Sequence, residues 1–231
     1  MAFHESVNSD QFADRKRMAE QPWIQRTTYD ISRWASRLLS VIFCGIRCAG
    51  RSHVPAQGGV LVCSTHQSYL DPILIGLSCN RRMNYVARQS LFRYPLLKRL
   101  MQWYNAFPID REGVGISGLK ETLRRMRQGE IVLLFPEGTR TQDGRIAPIK
   151  PGFCAIAKRG RVPLVPVAIV GANQVWPRSQ RLPRPAPIAI QYGTPLQPSE
   201  MRAMSDDQLV ARLQRELEEC QRQALAYTQR P

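Results

Sequence analysis

Short apolar runs rich in β-branched residues recur along this chain. Each is bounded by turn-forming residues, and they alternate with stretches of helical periodicity. The runs are Gly59 to Ser64, Met83 to Ala87, Ala106 to Ile109, Ile131 to Phe135, Leu164 to Val170 and Ile188 to Tyr192. Their composition and length read as strands. Between them, Pro72 to Ser78, Gly115 to Gln128 and Phe153 to Lys158 carry helical patterns. Such alternation predicts an α/β layered domain around a largely parallel sheet. At 231 residues the chain supports one substantial core, and it reads as a single domain.

The flanks differ in character. Residues 1–22 are polar and mixed in charge, a flexible tail without the apolar stretch of a secretory signal. Residues 23–50 form an N-terminal amphipathic segment: between Tyr29 and Gly50, Trp34, Leu38, Val41, Ile42 and Ile46 recur at helical spacing, with Arg33, Arg37 and Arg47 at the edges. Such a helix either lies in an anionic membrane interface or packs on its own domain, and the pattern alone leaves both open. Leu91 to Phe107 is a second basic, aromatic-bearing stretch, interrupted by Pro95. The longest uncharged stretch of the N-terminal segment, Leu38 to Ile46, falls well short of the ~20 residues a membrane span needs. Residues 51–231 form the main domain, with its motifs in 61–170. Pro177 to Pro187 predict a stiff surface loop. A closing helix from about Asp206 to Ala226 starts with a capping box, Ser205 and Gln208, and presents Leu209, Leu213, Leu217 and Cys220 to the core.

Charge narrows the partners. Residues 22–199 hold 25 basic against 8 acidic side chains, and only Lys98, Lys120, Lys150 and Lys158 among those cations are lysines. Arginine's planar fork suits phosphates and carboxylates, so the partner bears phosphate: nucleic acid, an anionic membrane surface or a small phosphorylated substrate. The six cysteines form no CxxC pair and mostly sit in apolar runs, which predicts buried free thiols and a reducing compartment.

The stretch LVCSTHQSYLDP, Leu61 to Pro72, places His66 directly after a predicted buried strand. His4 lies in the tail and His53 in a polar loop. In α/β sheets, sites form at the carboxyl ends of strands. Asp71 before Pro72 fits a helix N-cap, which is its plain structural reading. A turn between strand and helix also allows His66 to fold back onto Asp71. The carboxylate then holds the imidazole tautomer and leaves the other nitrogen to remove a proton. The His–x4–Asp spacing does not by itself choose between these readings.

Three more blocks follow in order: FPIDR (Phe107 to Arg111), FPEGTR (Phe135 to Arg140) and VPLVPVAI (Val162 to Ile169). Together the four resemble the lysophosphatidic acid acyltransferase family, the PlsC-like glycerolipid acyltransferases, over about residues 55–195. That resemblance implies a single-domain fold with a mixed, mostly parallel sheet flanked by helices, and acyl transfer from a thioester to a glycerol hydroxyl. It implies that His66 is the general base and Asp71 its orienting partner. Arg111 is then an acceptor-phosphate ligand, Glu137, Gly138 and Thr139 belong to the acceptor site, and Arg140 stands beside them. Lys150, opening the turn before a helix in IKPGF, resembles the family's Lys-x-Gly turn, and helix N-termini attract phosphate. Thr65 departs from the family's common Asn before the histidine, and no glycine precedes Phe107.

The chemistry of the residues agrees. A thioester is already activated, so deprotonating the alcohol and stabilising the oxyanion suffice. The reaction requires neither a metal nor a redox cofactor, and no acyl-enzyme, so no cysteine is expected as nucleophile. Gly138 lets backbone approach a ligand. Glu137 is expected to accept a bond from a glycerol hydroxyl, to orient an arginine, or to form a salt bridge with Arg140. Acyl-CoA or acyl carrier protein is the expected donor, since both are acidic and suit a basic surface; the Lys158, Arg159 and Arg161 cluster reads as a solvated face or a donor dock. The acceptor is 1-acyl-sn-glycerol-3-phosphate, with glycerol-3-phosphate, another lysophospholipid or a lyso-aminolipid as alternatives. The expected setting is the phospholipid surface on the cytoplasmic face of a membrane, bound peripherally or monotopically. A nucleic-acid-binding protein explains the charge but gives His66 and its companions no role, and no nucleic-acid recognition motif occurs. A noncatalytic lipid-binding protein would keep the arginines without needing His66.

Overall fold

Alternate residues of Val60–Ser64 face opposite sides of the sheet, and both sides are buried: Val60 and Val62 join one apolar cluster, Leu61 and Cys63 another. A strand buried on both faces must be apolar throughout, which is why this segment reads as a continuous run rather than an alternating one. The computed structural model describes residues 45–88, 106–109, 116–141, 143–176 and 184–228, all within one compact unit, Val41–Pro231.

Strands β1 (Arg47–Ala49), β2 (Val60–Ser64), β3 (Met83–Arg88), β4 (Ala106–Ile109), β5 (Ile131–Leu134), β6 (Leu164–Val170) and β7 (Ala189–Tyr192) form one sheet in the order β1-β7-β6-β2-β5-β3-β4. Every neighbouring pair is parallel except β6 with β7. The mixed, mostly parallel sheet flanked by helices is therefore as expected. Helices α1 (Asp71–Ser78), α2 (Ile116–Arg127), α3 (Gly152–Gly160), α4 (Ala172–Val175), α5 (Pro198–Ala203) and α6 (Asp206–Thr228) cover its faces.

Leu74 and Ile75 of α1 and Val175 of α4 pack on the face that holds Val60, Val62 and Leu133. Met126 of α2, Phe153 and Ile156 of α3 and Leu209, Leu213 and Leu217 of α6 pack on the other, against Leu61, Cys63 and Leu134. The three α6 leucines are fully buried, each contributing on the order of 2 kcal/mol. The α6 start is capped as expected: Ser205 N donates to Gln208 Oε1 at 2.8 Å and Gln208 N to Ser205 Oγ at 3.1 Å.

This layering positions the site. The chain leaves the carboxyl end of β2 for α1 on one face, whereas it leaves the adjacent β5 for α3 on the other. Two neighbouring strands whose connections diverge in this way open a crevice between their carboxyl ends, the usual ligand position in an open α/β sheet. His66 follows β2 and the FPEGTR block follows β5, so both enter the same crevice.

Two local readings are corrected. Arg47–Ala49, the end of the stretch read as helical, is strand β1: it pairs in parallel with β7, and Arg47 Nη1 donates to Tyr227 O at 2.8 Å. Pairing with a distant strand overrides the local helical spacing. Helix α1 begins at Asp71 itself, with Leu70 at the N-cap, so Asp71 is not the cap. The tail 1–22, the segment 23–50 up to residue 44, residues 91–105, residues 177–183 and Arg111 lie outside the described residues. Among the described residues, no helix is long and apolar enough to cross a membrane.

Candidate active site

The loop between β2 and α1 closes on one oxygen atom. Asp71 Oδ2 accepts hydrogen bonds from Gln67 N at 2.5 Å, Ser68 N at 2.7 Å and His66 Nδ1 at 2.8 Å. The carboxylate turns back toward the strand it follows, so it organises the preceding loop. Because Oδ2 is an acceptor for two backbone donors, the histidine must donate as well, which puts its proton on Nδ1 and leaves the Nε2 lone pair free. Asp71 is fully buried, whereas the His66 side chain retains 18% exposure. A base held from behind by a buried acceptor and open in front is the arrangement proton abstraction needs.

The FPEGTR block supports this loop from the neighbouring strand. Phe135 stacks on the His66 ring, with centroids 4.0 Å apart and planes inclined by 20°. Glu137 is 1% exposed; its Oε1 accepts from His66 N at 2.7 Å and its Oε2 from Ala147 N at 2.8 Å. Burial pushes its carboxyl up to about 7, against the opposing pull of those two backbone donors and with a further push from the charge of Asp71. Thr141 N closes the frame by donating to His66 O at 2.9 Å.

The expected salt bridge between Glu137 and Arg140 is absent. Both Glu137 oxygens serve backbone donors, and the Arg140 guanidinium carbon lies 3.3 Å over the centre of the Tyr69 ring. Glu137 therefore fixes the framework in this structure instead of presenting an oxygen to solvent. Gly138 adopts φ +69°, and a Cβ there would stand 3.0 Å from Lys150 Nζ, so the lysine side chain crosses the glycine. Lys150 N donates to Pro136 O at 3.0 Å, and Pro151 N-caps α3. Thr139 is exposed at the same turn.

The structure thus gathers His66, Asp71, Glu137, Gly138, Thr139, Arg140 and Lys150 at one edge of the sheet. β4 ends at Ile109 on this edge. Thr65, the departure before the histidine, accepts from Ile169 N at 3.0 Å through its hydroxyl and ties β2 to β6. Sequence reasoning missed Phe135, Tyr69 and the backbone donors of Gln67, Ser68 and Ala147. An aromatic ending the strand beside the histidine strand was the one available signal for the first.

Burial raises the thiol pKa of Cys63, brings Cys154 to about 11 and Cys220 to about 12, as expected for core thiols. Among the described residues, no three His, Cys, Asp or Glu side chains gather closely enough to hold a metal ion.

Comparison with known proteins gives concordant results. Residues 45–170 match the family model described as Acyltransferase. A 1-acyl-sn-glycerol-3-phosphate acyltransferase of Bacillus subtilis is 34% identical over 130 residues, covering 56% of this chain and 64% of the relative. One of Cocos nucifera is 33% identical over 140 residues, covering 59% and 45%. The chain thus spans less than two thirds of the length of these relatives. The fold matches the crystal structure of the 1-acyl-sn-glycerophosphate (LPA) acyltransferase PlsC from Thermotoga maritima, with a TM-score of 0.73 at 20% identity, covering 96% of this chain and 90% of that one.

Proposed function

The chain belongs to the acyltransferase family, and from that premise we propose that it transfers a fatty acyl group from acyl-CoA or acyl carrier protein to the free hydroxyl of 1-acyl-sn-glycerol-3-phosphate, giving phosphatidic acid. The observation that carries this reading is the 2.8 Å bond from His66 Nδ1 to Asp71 Oδ2 at the mouth of the crevice. It leaves Nε2 as the free base. The names of the relatives supply the acceptor.

In this reading Nε2 takes the proton of the acceptor hydroxyl as its oxygen attacks the thioester carbonyl. The imidazolium is stabilised by the buried Asp71 carboxylate. Collapse of the tetrahedral intermediate breaks the C–S bond, and the proton on Nε2 passes to the departing thiolate. An ester and a free thiol result, with no acyl-enzyme. Arg140 and Lys150 bind the acceptor phosphate, together with Arg111; Gly138 and Thr139 line that subsite, and Glu137 acts through the backbone of His66. The amphiphilic acceptor is drawn from a membrane surface, where the part of the N-terminal segment that precedes β1, residues 23–44, anchors the enzyme on the cytoplasmic side.

Thiol release from each donor, with and without lysophosphatidic acid, tests the reading. Wild type shows acceptor-dependent release, and His66→Ala lowers it by about 10²- to 10⁴-fold while remaining folded. Failure to consume either donor with any lysolipid, or an equally active His66→Ala, overturns it in favour of noncatalytic lipid binding.

A further inference from the structure

Tyr69 is one of the four residues that separate His66 from Asp71, yet it faces outward with 64% exposure. Its place in the loop is fixed on both sides. Ser68 N is bound by Asp71 Oδ2, and Leu70 N donates to Ser68 Oγ at 3.3 Å. The ring carries Arg140, whose guanidinium carbon is 3.3 Å from its centre. At that separation the two flat groups are stacked, because an edge-on guanidinium would drive its hydrogens into the ring. Stacking uses the face of the guanidinium and leaves its N–H donors, which point outward in the plane, available to an anion.

The arginine is also tied to the base by a second route. Its neighbour Thr141 donates N–H to His66 O at 2.9 Å. Chain and contacts therefore form a closed ring: His66 through Gln67 and Ser68 to Tyr69, across the stack to Arg140, and through Thr141 back to His66. Among the described residues, no carboxylate forms an ion pair with Arg140.

We propose that Tyr69 is a positioning residue for phosphate recognition: its ring holds the Arg140 guanidinium flat, at a fixed place relative to His66, so that a phosphomonoester bound there sets the acceptor hydroxyl against Nε2. This inference rests on the reading of Arg140 as a phosphate ligand. It assigns selectivity for phosphorylated acceptors in part to a side chain that never touches the phosphate.

The test is a double-mutant cycle on a short-chain lysophosphatidic acid used below its micelle concentration, which removes surface binding from the comparison. The matching monoacylglycerol, which lacks the phosphate, is measured in parallel. Tyr69→Leu raises KM for the phosphorylated acceptor about 2- to 5-fold, the scale of a solvent-exposed cation–π contact, with the change in KM rather than kcat. Tyr69→Phe keeps the aromatic face and restores KM to within about 2-fold of wild type. In an Arg140→Gln background, Tyr69→Leu adds nothing, and neither change affects KM for the monoacylglycerol.

Additive effects of the two substitutions, or a loss confined to kcat, would show that Tyr69 acts on the loop alone and overturn the proposal. An unchanged KM in Tyr69→Leu beside a raised one in Arg140→Gln overturns it while sparing the phosphate role of Arg140. An unchanged KM in Arg140→Gln removes that role, and this proposal with it. The cycle on the phosphorylated acceptor decides among these even where turnover of the monoacylglycerol is undetectable.

Discussion

Replacing Glu137 by Gln should change the pH dependence of stability more than stability itself. The carboxyl is buried, and its pKa lies at about 7 against an ordinary 4.5. Below pH 4.5 it is protonated in both the folded and unfolded chains. Between 4.5 and 7 the folded chain holds a proton that the unfolded chain has released, so stability falls as pH rises. A shift of this size corresponds to about 3 kcal/mol, lost by pH 8 relative to pH 4. Glutamine does not titrate, so that slope disappears. It does put an amide nitrogen against one of the two backbone donors, His66 N or Ala147 N, at a constant cost of about 1–3 kcal/mol. Wild type should therefore be the more stable protein near pH 5, and the two should converge or cross by pH 8. Urea unfolding followed by tryptophan fluorescence, at half-unit pH steps in one detergent, measures the difference. Parallel curves, or a wild type that gains on the variant as pH rises, would refute the reasoning, because the two backbone donors would then outweigh burial.

Other outcomes follow from single contacts. Asp71→Asn keeps an oxygen for the Gln67 and Ser68 N–H groups but removes the charge that supports an imidazolium, so kcat should fall about 10²- to 10⁴-fold with little change in acceptor KM, and the amide nitrogen, taking the place of the buried and unpartnered Oδ1, should cost about 1–3 kcal/mol of stability. Gly138→Ala places a Cβ at φ +69° and 3.0 Å from Lys150 Nζ; titration with acceptor should show a KM raised several-fold, alongside about 1 kcal/mol of lost stability. Arg81 donates to the carbonyls of Pro55, Gly58 and Gly129, each at 2.7 Å, so Arg81→Met should lower the unfolding free energy by about 2–4 kcal/mol without altering turnover per folded molecule. Mass spectrometry after iodoacetamide at pH 8 should find Cys63, Cys79, Cys154 and Cys220 unmodified in the folded protein, since all four are buried.

The parts of the molecule that are legible in sequence are those whose cause is local. Strands β2, β5 and β6 announce themselves because strands buried on both faces must be apolar along their length, and the α6 boundary because its cap is built from two side chains three positions apart. β1 is three residues, Arg-Cys-Ala, and exists through its pairing with β7 some 140 positions away. Its sequence carries no pattern of its own. The same division runs through the site. His66 and Asp71 are close in sequence and meet in one loop, so their association can be foreseen. Glu137 is bound to backbone N–H groups, which every residue other than proline offers, and no side-chain pattern points to Ala147. Its nearest charged neighbour in sequence, Arg140, suggests a salt bridge, but the turn after β5 sends the two apart, one into the frame and one onto Tyr69. Short helices such as α4 and α5 leave too few residues for a periodicity to be read.

His66 is carried on the end of β2, the strand with β6 on one side and β5 on the other and with no exposed face. Backbone amides in such a strand exchange with solvent only when the whole sheet opens, so β2 should be among the last segments to take up deuterium. His66 is thereby mounted on a segment that should open slowly, and partial fraying of β1 or β4 at the sheet edges should leave its footing untouched. Heat should consequently remove activity in one step with global melting, without an earlier phase of inactivation in a still-folded protein.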